Sequence, residues 1–244
     1  PVVGVIPYLQ QAFPAEDSLD LLERRGRKRN TDLTIAIIHL PKIANFTDFD
    51  PLEAETSVNL RYVRPEEELG NPDAVILPGS KTTITDLQTL QVTGMAAALQ
   101  AYAKKGGIIF GICGGFQMLG ETLSDPDGLE GEPGNYEGLG LFPLQTIITG
   151  EKLTRQRTVP AIFPASNTPI TGYEIHQGRT RFTTESETLM PLFEDAELGY
   201  VNSQQSVWGC YLHGLFENGT WRRQWVNQLR KRKGLSPLET NVPH

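Results

Sequence analysis

Residues 111–120 read GICGGFQMLG, and they set a single cysteine, Cys113, between glycines directly after the apolar run 108–112. G-x-C-x-G is the nucleophile-elbow pattern with cysteine in place of serine. Small neighbours permit a sharp strand-to-helix turn that lifts the side chain above the sheet edge. A helix starting just behind the sulfur points N–H groups at it and favours the thiolate. A free thiol more often packs in a core, but the glycines and the strand-turn-helix context favour chemistry here. The elbow leaves the reaction open: hydrolases, amidotransferases and stress-response proteins can all use one. A thiolate needs a general base, and the chain has four histidines. His244 is terminal, and His39 lies inside an apolar run, as a core or strand-end residue would. His176, in GYEIHQGRT, and His213, in GCYLHGLF, each precede a small or polar bend, and either could face the cysteine. No two histidines have metal-ligand spacing and no C-x-x-C occurs, so no metal site is expected. Cys210 lies in an apolar strand-like stretch and is expected to pack.

These side chains need a frame. Residues 33–40 (LTIAIIHL) form a continuous β-branched run, as in a strand buried on both faces. Residues 55–63 and 73–80 are further strands, the latter ending in Pro78-Gly79. Residues 83–106 predict one or two helices stopped by Gly106, residues 108–112 a fourth strand, and FQMLGETL (116–123) the helix after it. Strands alternating with helices predict an α/β fold, doubly wound, with a mostly parallel sheet flanked by helices. In such sheets functional residues gather at the carboxyl ends of strands. Beyond Gly128 the pattern changes to strands and hairpins, before a final helix at about 221–233 with Trp221, Trp225 and Leu229 on one face. The division is a lead-in over residues 1–30 and one domain over 31–244. Residues 1–9 read like a strand entered mid-chain, as in a piece of a longer polypeptide.

A net charge of −7 argues against a nucleic-acid surface. Two cysteines make no disulfide framework, nothing reads as a secretory signal, and no apolar run approaches a membrane span, so a cytoplasmic protein without membrane partners is expected.

GICGGFQMLG, LPGSKTTITDL, GYEIHQGRT and YLHGLF, in that order and spacing, together resemble the glutamine amidotransferase domain of the cobyric acid synthase family. This is the cobalamin-type branch of the class I, triad-type glutaminases, with a flavodoxin-like fold. The lead-in also resembles the end of that family's ATP-binding synthetase domain. The resemblance implies that Cys113 attacks the side-chain amide of glutamine, and that His213 is the base. Backbone N–H groups of Gly79 and Gly114 would form the oxyanion hole, and Gln117 and Ser80 would hold the substrate. Many class I glutaminases have Glu two residues after the histidine. Leu215 stands there, a loss the cobalamin branch shares. Glu217, Glu174 or a partner domain are then candidates to orient His213, unless a Cys-His dyad suffices. His176 ranks second to His213 as base.

PGSKTT is no phosphate loop, because Ser80 separates Gly79 from Lys81. No cofactor is therefore expected in this domain. The resemblance implies ATP and Mg in a separate N-terminal synthetase domain, which would amidate peripheral carboxylates of adenosylcobyrinic acid a,c-diamide with the ammonia released here. Three rival readings stand beside this one. They are the glutaminase subunit of a cell-wall (lipid II) amidating synthetase, a non-catalytic binding module on the same fold, and a cysteine hydrolase or redox protein on the same elbow.

Overall fold

The computed structural model describes residues 31–184 and 189–241. The lead-in 1–30 and His244 lie outside the described residues, and so do the expectations placed on them.

In chain order the elements are β1 (Leu33–Ile38), β2 (Ile43–Ala44), a 3-10 turn (Phe46–Phe49), α1 (Asp50–Ala54), β3 (Val58–Val63), β4 (Ala74–Leu77), β5 (Gly79–Ser80), α2 (Thr83–Thr93) and α3 (Met95–Lys104). There follow β6 (Ile108–Ile112), α4 (Gly114–Met118), β7 (Thr122–Asp125), β8 (Gly134–Glu137), β9 (Leu144–Pro160) and β10 (Pro169–Phe182). The chain continues through β11 (Leu189–Pro191), a 3-10 turn (Ala196–Leu198), β12 (Gly199–Asn202), β13 (Val207–Cys210), β14 (Leu212–His213), a 3-10 turn (Leu215–Glu217) and α5 (Gly219–Arg232).

A seven-stranded sheet runs β11-β12-β13-β6-β4-β1-β3. Its five strands from β13 to β3 are parallel, and β12 and β11 extend it antiparallel. The expected apolar runs lie at its centre: β4 and β6 are buried at every position, as strands covered on both faces must be. A second sheet, β14-β10-β9-β7-β8, is built around the long β9–β10 hairpin. Trp221 and Trp225 of α5 are buried against Phe110 of β6 and Phe216, closing one side of the core. Among the described residues no helix is long and apolar enough to cross a membrane.

Two sequence expectations need correction. The helix after the elbow stops at Met118, and residues 122–125 are strand, not helix. Gly120 packs so close to β9 that a Cβ there would lie 2.6 Å from the Leu144 carbonyl oxygen, and β7 then pairs with β9. Pairing with a distant strand overrides local helical pattern. The strand expected over 55–63 begins at Val58, behind α1, in a stretch where the apolar pattern gave no helix.

Candidate active site

Cys113 sits alone between β6 and α4 with φ 51 and ψ −109, a strained conformation for a residue with a side chain. The neighbouring backbone makes room for it. A Cβ at Gly115 would fall 2.1 Å from the Leu77 carbonyl oxygen, and one at Gly111 would fall 2.6 Å from that of Gly115. Side chains at either position would push the elbow off the sheet edge. The Cys113 N–H donates to the Cys210 carbonyl at 2.8 Å, and its thiol lies 3.3 Å from the Ile175 carbonyl oxygen on β10. The thiol is largely buried, at 7% exposure.

His213 approaches from β14, where it pairs with Tyr173 of β10. Its Nδ1 donates to Oδ2 of Asp48 at 2.7 Å, and the Gly214 N–H donates to the other carboxylate oxygen at 2.9 Å. Asp48 is buried in the 3-10 turn that follows β2. The Tyr173 ring stacks on one face of the imidazole, centroids 5.2 Å apart. The Asn45 amide nitrogen is 3.1 Å from Nε2 and 3.3 Å from Nδ1; being nearly equidistant, it lies over a ring face. Burial disfavours the charged ring, but hydrogen bonds to Asp48 and Cys113, and the charges of both, outweigh it and raise the His213 pKa to about 10. With Nδ1 committed to Asp48, Nε2 is the nitrogen left for the sulfur.

Among the other sequence candidates, Gly79 lies beside this imidazole: a Cβ there would be 3.0 Å from Cε1 of His213. Gly114 lies against the Ser80 backbone nitrogen, which a Cβ would approach to 3.0 Å. The Gln117 amide is buried; it donates to the Gln177 carbonyl and to the Tyr211 hydroxyl, and its oxygen accepts from Thr83. Ser80 points its hydroxyl at Asp86 (2.6 Å) and accepts from the Thr82 N–H, so its side chain serves the start of α2. A buried carboxylate beneath residues 78–83 makes this loop a poor fit for a nucleotide phosphate.

The orienting carboxylate is not where the sequence pointed. Glu217 is exposed on its 3-10 turn. Glu174 faces away from His213 and binds His176 Nε2 at 3.0 Å and Arg157 at 3.4 Å. His176 has its other nitrogen at the Gly178 carbonyl, so both ring nitrogens are engaged away from Cys113. Asp48 makes the contact with His213 that those glutamates were expected to make, from a position 165 residues before the histidine. No local motif could mark it. The available signal was topological: Asn45 and Asp48 lie in the loop after the carboxyl end of β1, the sheet edge that also carries the elbow.

With this geometry in view, likeness to known proteins takes on meaning. Residues 34–221 match the family model described as CobB/CobQ-like glutamine amidotransferase domain. The chain is 59% identical over 244 residues to a cobyric acid synthase of Nostoc sp., covering 99% of this chain and 50% of that one. It is 57% identical over 242 residues to a cobyric acid synthase of Synechocystis sp., covering 99% and 49%. It thus spans about half the length of the relatives it matches. Among solved structures, PurLQS of Thermotoga maritima aligns with TM-score 0.61 at 15% identity, over 82% of this chain and 100% of that one. A crystal structure of a glutamine amidotransferase aligns with TM-score 0.59 at 15% identity, over 82% and 99%. These two likenesses carry the fold alone.

Proposed function

The chain belongs to the CobB/CobQ-like glutamine amidotransferase domain family, and from that premise we propose that Cys113, His213 and Asp48 form a glutaminase triad. Cys113 Sγ attacks the side-chain amide carbon of glutamine. The C–N bond breaks as His213 Nε2–H protonates the departing nitrogen, which leaves as ammonia from a γ-glutamyl thioester. The neutral imidazole then takes a proton from water. The hydroxide formed attacks the thioester, the C–S bond breaks, and glutamate leaves with the sulfur restored. Asp48 holds Nδ1–H throughout, fixing the tautomer and stabilising the imidazolium. Backbone N–H groups of Gly79 and Gly114 would serve the oxyanion, and Gln117 would brace the substrate side of the cleft. Ser80 would contribute through its backbone, since its hydroxyl is engaged with Asp86.

The observation that carries this reading is the buried Asp48–His213 hydrogen bond beside Cys113, which helps Asp48 raise the His213 pKa, at the carboxyl edge of the parallel sheet. Relatives of twice this length bear the name cobyric acid synthase, and we propose the corresponding whole reaction. Ammonia from Cys113 would feed ATP- and Mg-dependent amidation of peripheral carboxylates of adenosylcobyrinic acid a,c-diamide in a separate synthetase domain, in the cytoplasm. Cys113→Ser in the full-length protein tests the division of labour. Glutamine-dependent amidation should vanish while amidation from free ammonia persists. Equal loss of both would count against it.

A further inference from the structure

We infer that Glu174 and His176 are positioning residues, which lock the free edge of β10 in register against the thiol through a network of hydrogen bonds and ion pairs reaching Arg157 and Asp195. The inference rests on the glutaminase reading above. Along β10, Glu174, His176 and Gly178 share one face and Tyr173, Ile175 and Gln177 the other. Two backbone groups of the second set meet the site: the Ile175 carbonyl lies 3.3 Å from Cys113 Sγ, and the Gln177 carbonyl accepts from the Gln117 amide at 3.2 Å. A glutamine whose amide carbon is at the sulfur must therefore lie against the 175–177 edge.

Strand pairing fixes that edge on one side only, through Thr154, Leu153 and Lys152 of β9. β14 pairs with β10 at Tyr173 and Glu174. On the other side the pairing with β9 shifts register between Gln177 and Arg179. Below the strand lies a cavity of about 590 Å³, lined by Glu174, His176, Gly178 and Tyr211 among others. The network spans this weak point. His176 Nε2 meets Glu174 at 3.0 Å, and Nδ1 reaches across the register shift to the Gly178 carbonyl at 3.1 Å. The imidazole lies flat on Tyr211, centroids 3.8 Å apart, and the Tyr211 hydroxyl accepts from Gln117. Glu174 is held by Arg157, which also pairs with Asp195. Glu174 and His176 side chains are each 9% exposed. Burying the Glu174 carboxylate is costly, and its return is a fixed register rather than stability. None of them reaches His213 or the sulfur, so they act through the strand.

The test uses residues 1–244 with Glu174→Gln and His176→Phe, the latter keeping the stack on Tyr211 but losing both hydrogen bonds. Glu151→Gln, on the same cavity wall in an exposed pair with Arg179, is the control. Each network variant should raise the KM for glutamine on the order of tenfold, with kcat within about twofold, because the cleft edge is displaced while the triad is not. Inactivation by 6-diazo-5-oxo-L-norleucine should slow in proportion. Alkylation of Cys113 by iodoacetamide, which needs no glutamine subsite, should be unchanged, as should everything in the control. Variants with lower Tm but wild-type KM would overturn the inference, as would a fall in kcat at constant KM. If Glu174→Gln does not fold, His176→Phe carries the same expectations alone. Absence of wild-type labelling by the diazo analogue would instead strike at the glutaminase reading itself.

Discussion

His213 is surrounded by groups that each constrain one of its freedoms. Asp48 fixes which nitrogen is protonated, while the Tyr173 ring and the Asn45 amide hold the imidazole in place. Removing the carboxylate charge while keeping its shape should cost kcat on the order of 10³- to 10⁴-fold, the loss typical of a triad whose histidine has lost its orienting acid. Asp48→Asn is that substitution, and glutamate release reads it. The same contact links stability to pH. Because the folded His213 titrates near 10 instead of 6.5, its contribution is fully present below pH 6.5 and is lost as pH rises through about 10. Urea unfolding should therefore show the advantage of wild type over Asp48→Asn narrowing between those values. A gap that stayed constant would mean that Asp48 acts on stability without regard to the charge on His213. Cys210 is a contrasting residue. It is fully buried, and burial pushes its thiol well above the ordinary range. Cys210→Ala should leave diazo-analogue labelling of Cys113 intact, at a stability cost of about 1 kcal/mol for the small cavity.

The elbow was legible because everything that makes it is local. An apolar run, three glycines and the start of a helix lie within a dozen residues, and the backbone turns where those residues require. Gly115→Ala should show how tightly the turn is built: with the Leu77 carbonyl 2.1 Å from the added carbon, destabilisation of about 3 kcal/mol is expected. A Tm within a degree of wild type would mean that the elbow relaxes freely. The elements that sequence misjudged are those whose state is decided at a distance. Residues 122–125 look like a helix end but pair with β9, and the loop over 41–54 has no period to read. Yet that loop carries Asn45 and Asp48. It is held by buried Glu55 at the end of α1, which takes Arg222 at 2.9 Å and Arg223 at 2.8 Å from α5, while Arg222 also donates to the Phe216 carbonyl. Arg222→Met should thus cost about 3 kcal/mol by stranding part of that ion cluster, and with it loosen the turn that presents Asp48.

Across the whole molecule, the proposed triad joins three widely separated parts of one chain: the loop after β1, the turn after β6 and the strand before α5. Four motifs in order were enough to read the fold and to name Cys113 and His213, two of the three side chains in the proposed triad. The third was out of reach because Asp48 and His213 meet only when β1 and β14 are folded around the same sheet edge. Leu215, where many class I glutaminases carry Glu, left the orienting group of His213 to be sought in Glu217, Glu174 or a partner domain, and a partner domain in that role would have been a reason to expect weak hydrolysis without it. With Asp48 in place, that reason falls away, and residues 1–244 should hydrolyse glutamine on their own. Glutamate release by this chain, wild type beside Asp48→Asn, is the most direct measurement. Steady turnover by the wild type is expected, abolished by Cys113→Ser and reduced on the order of 10³-fold or more by Asp48→Asn. Wild-type turnover that Asp48→Asn leaves unchanged would contradict the triad.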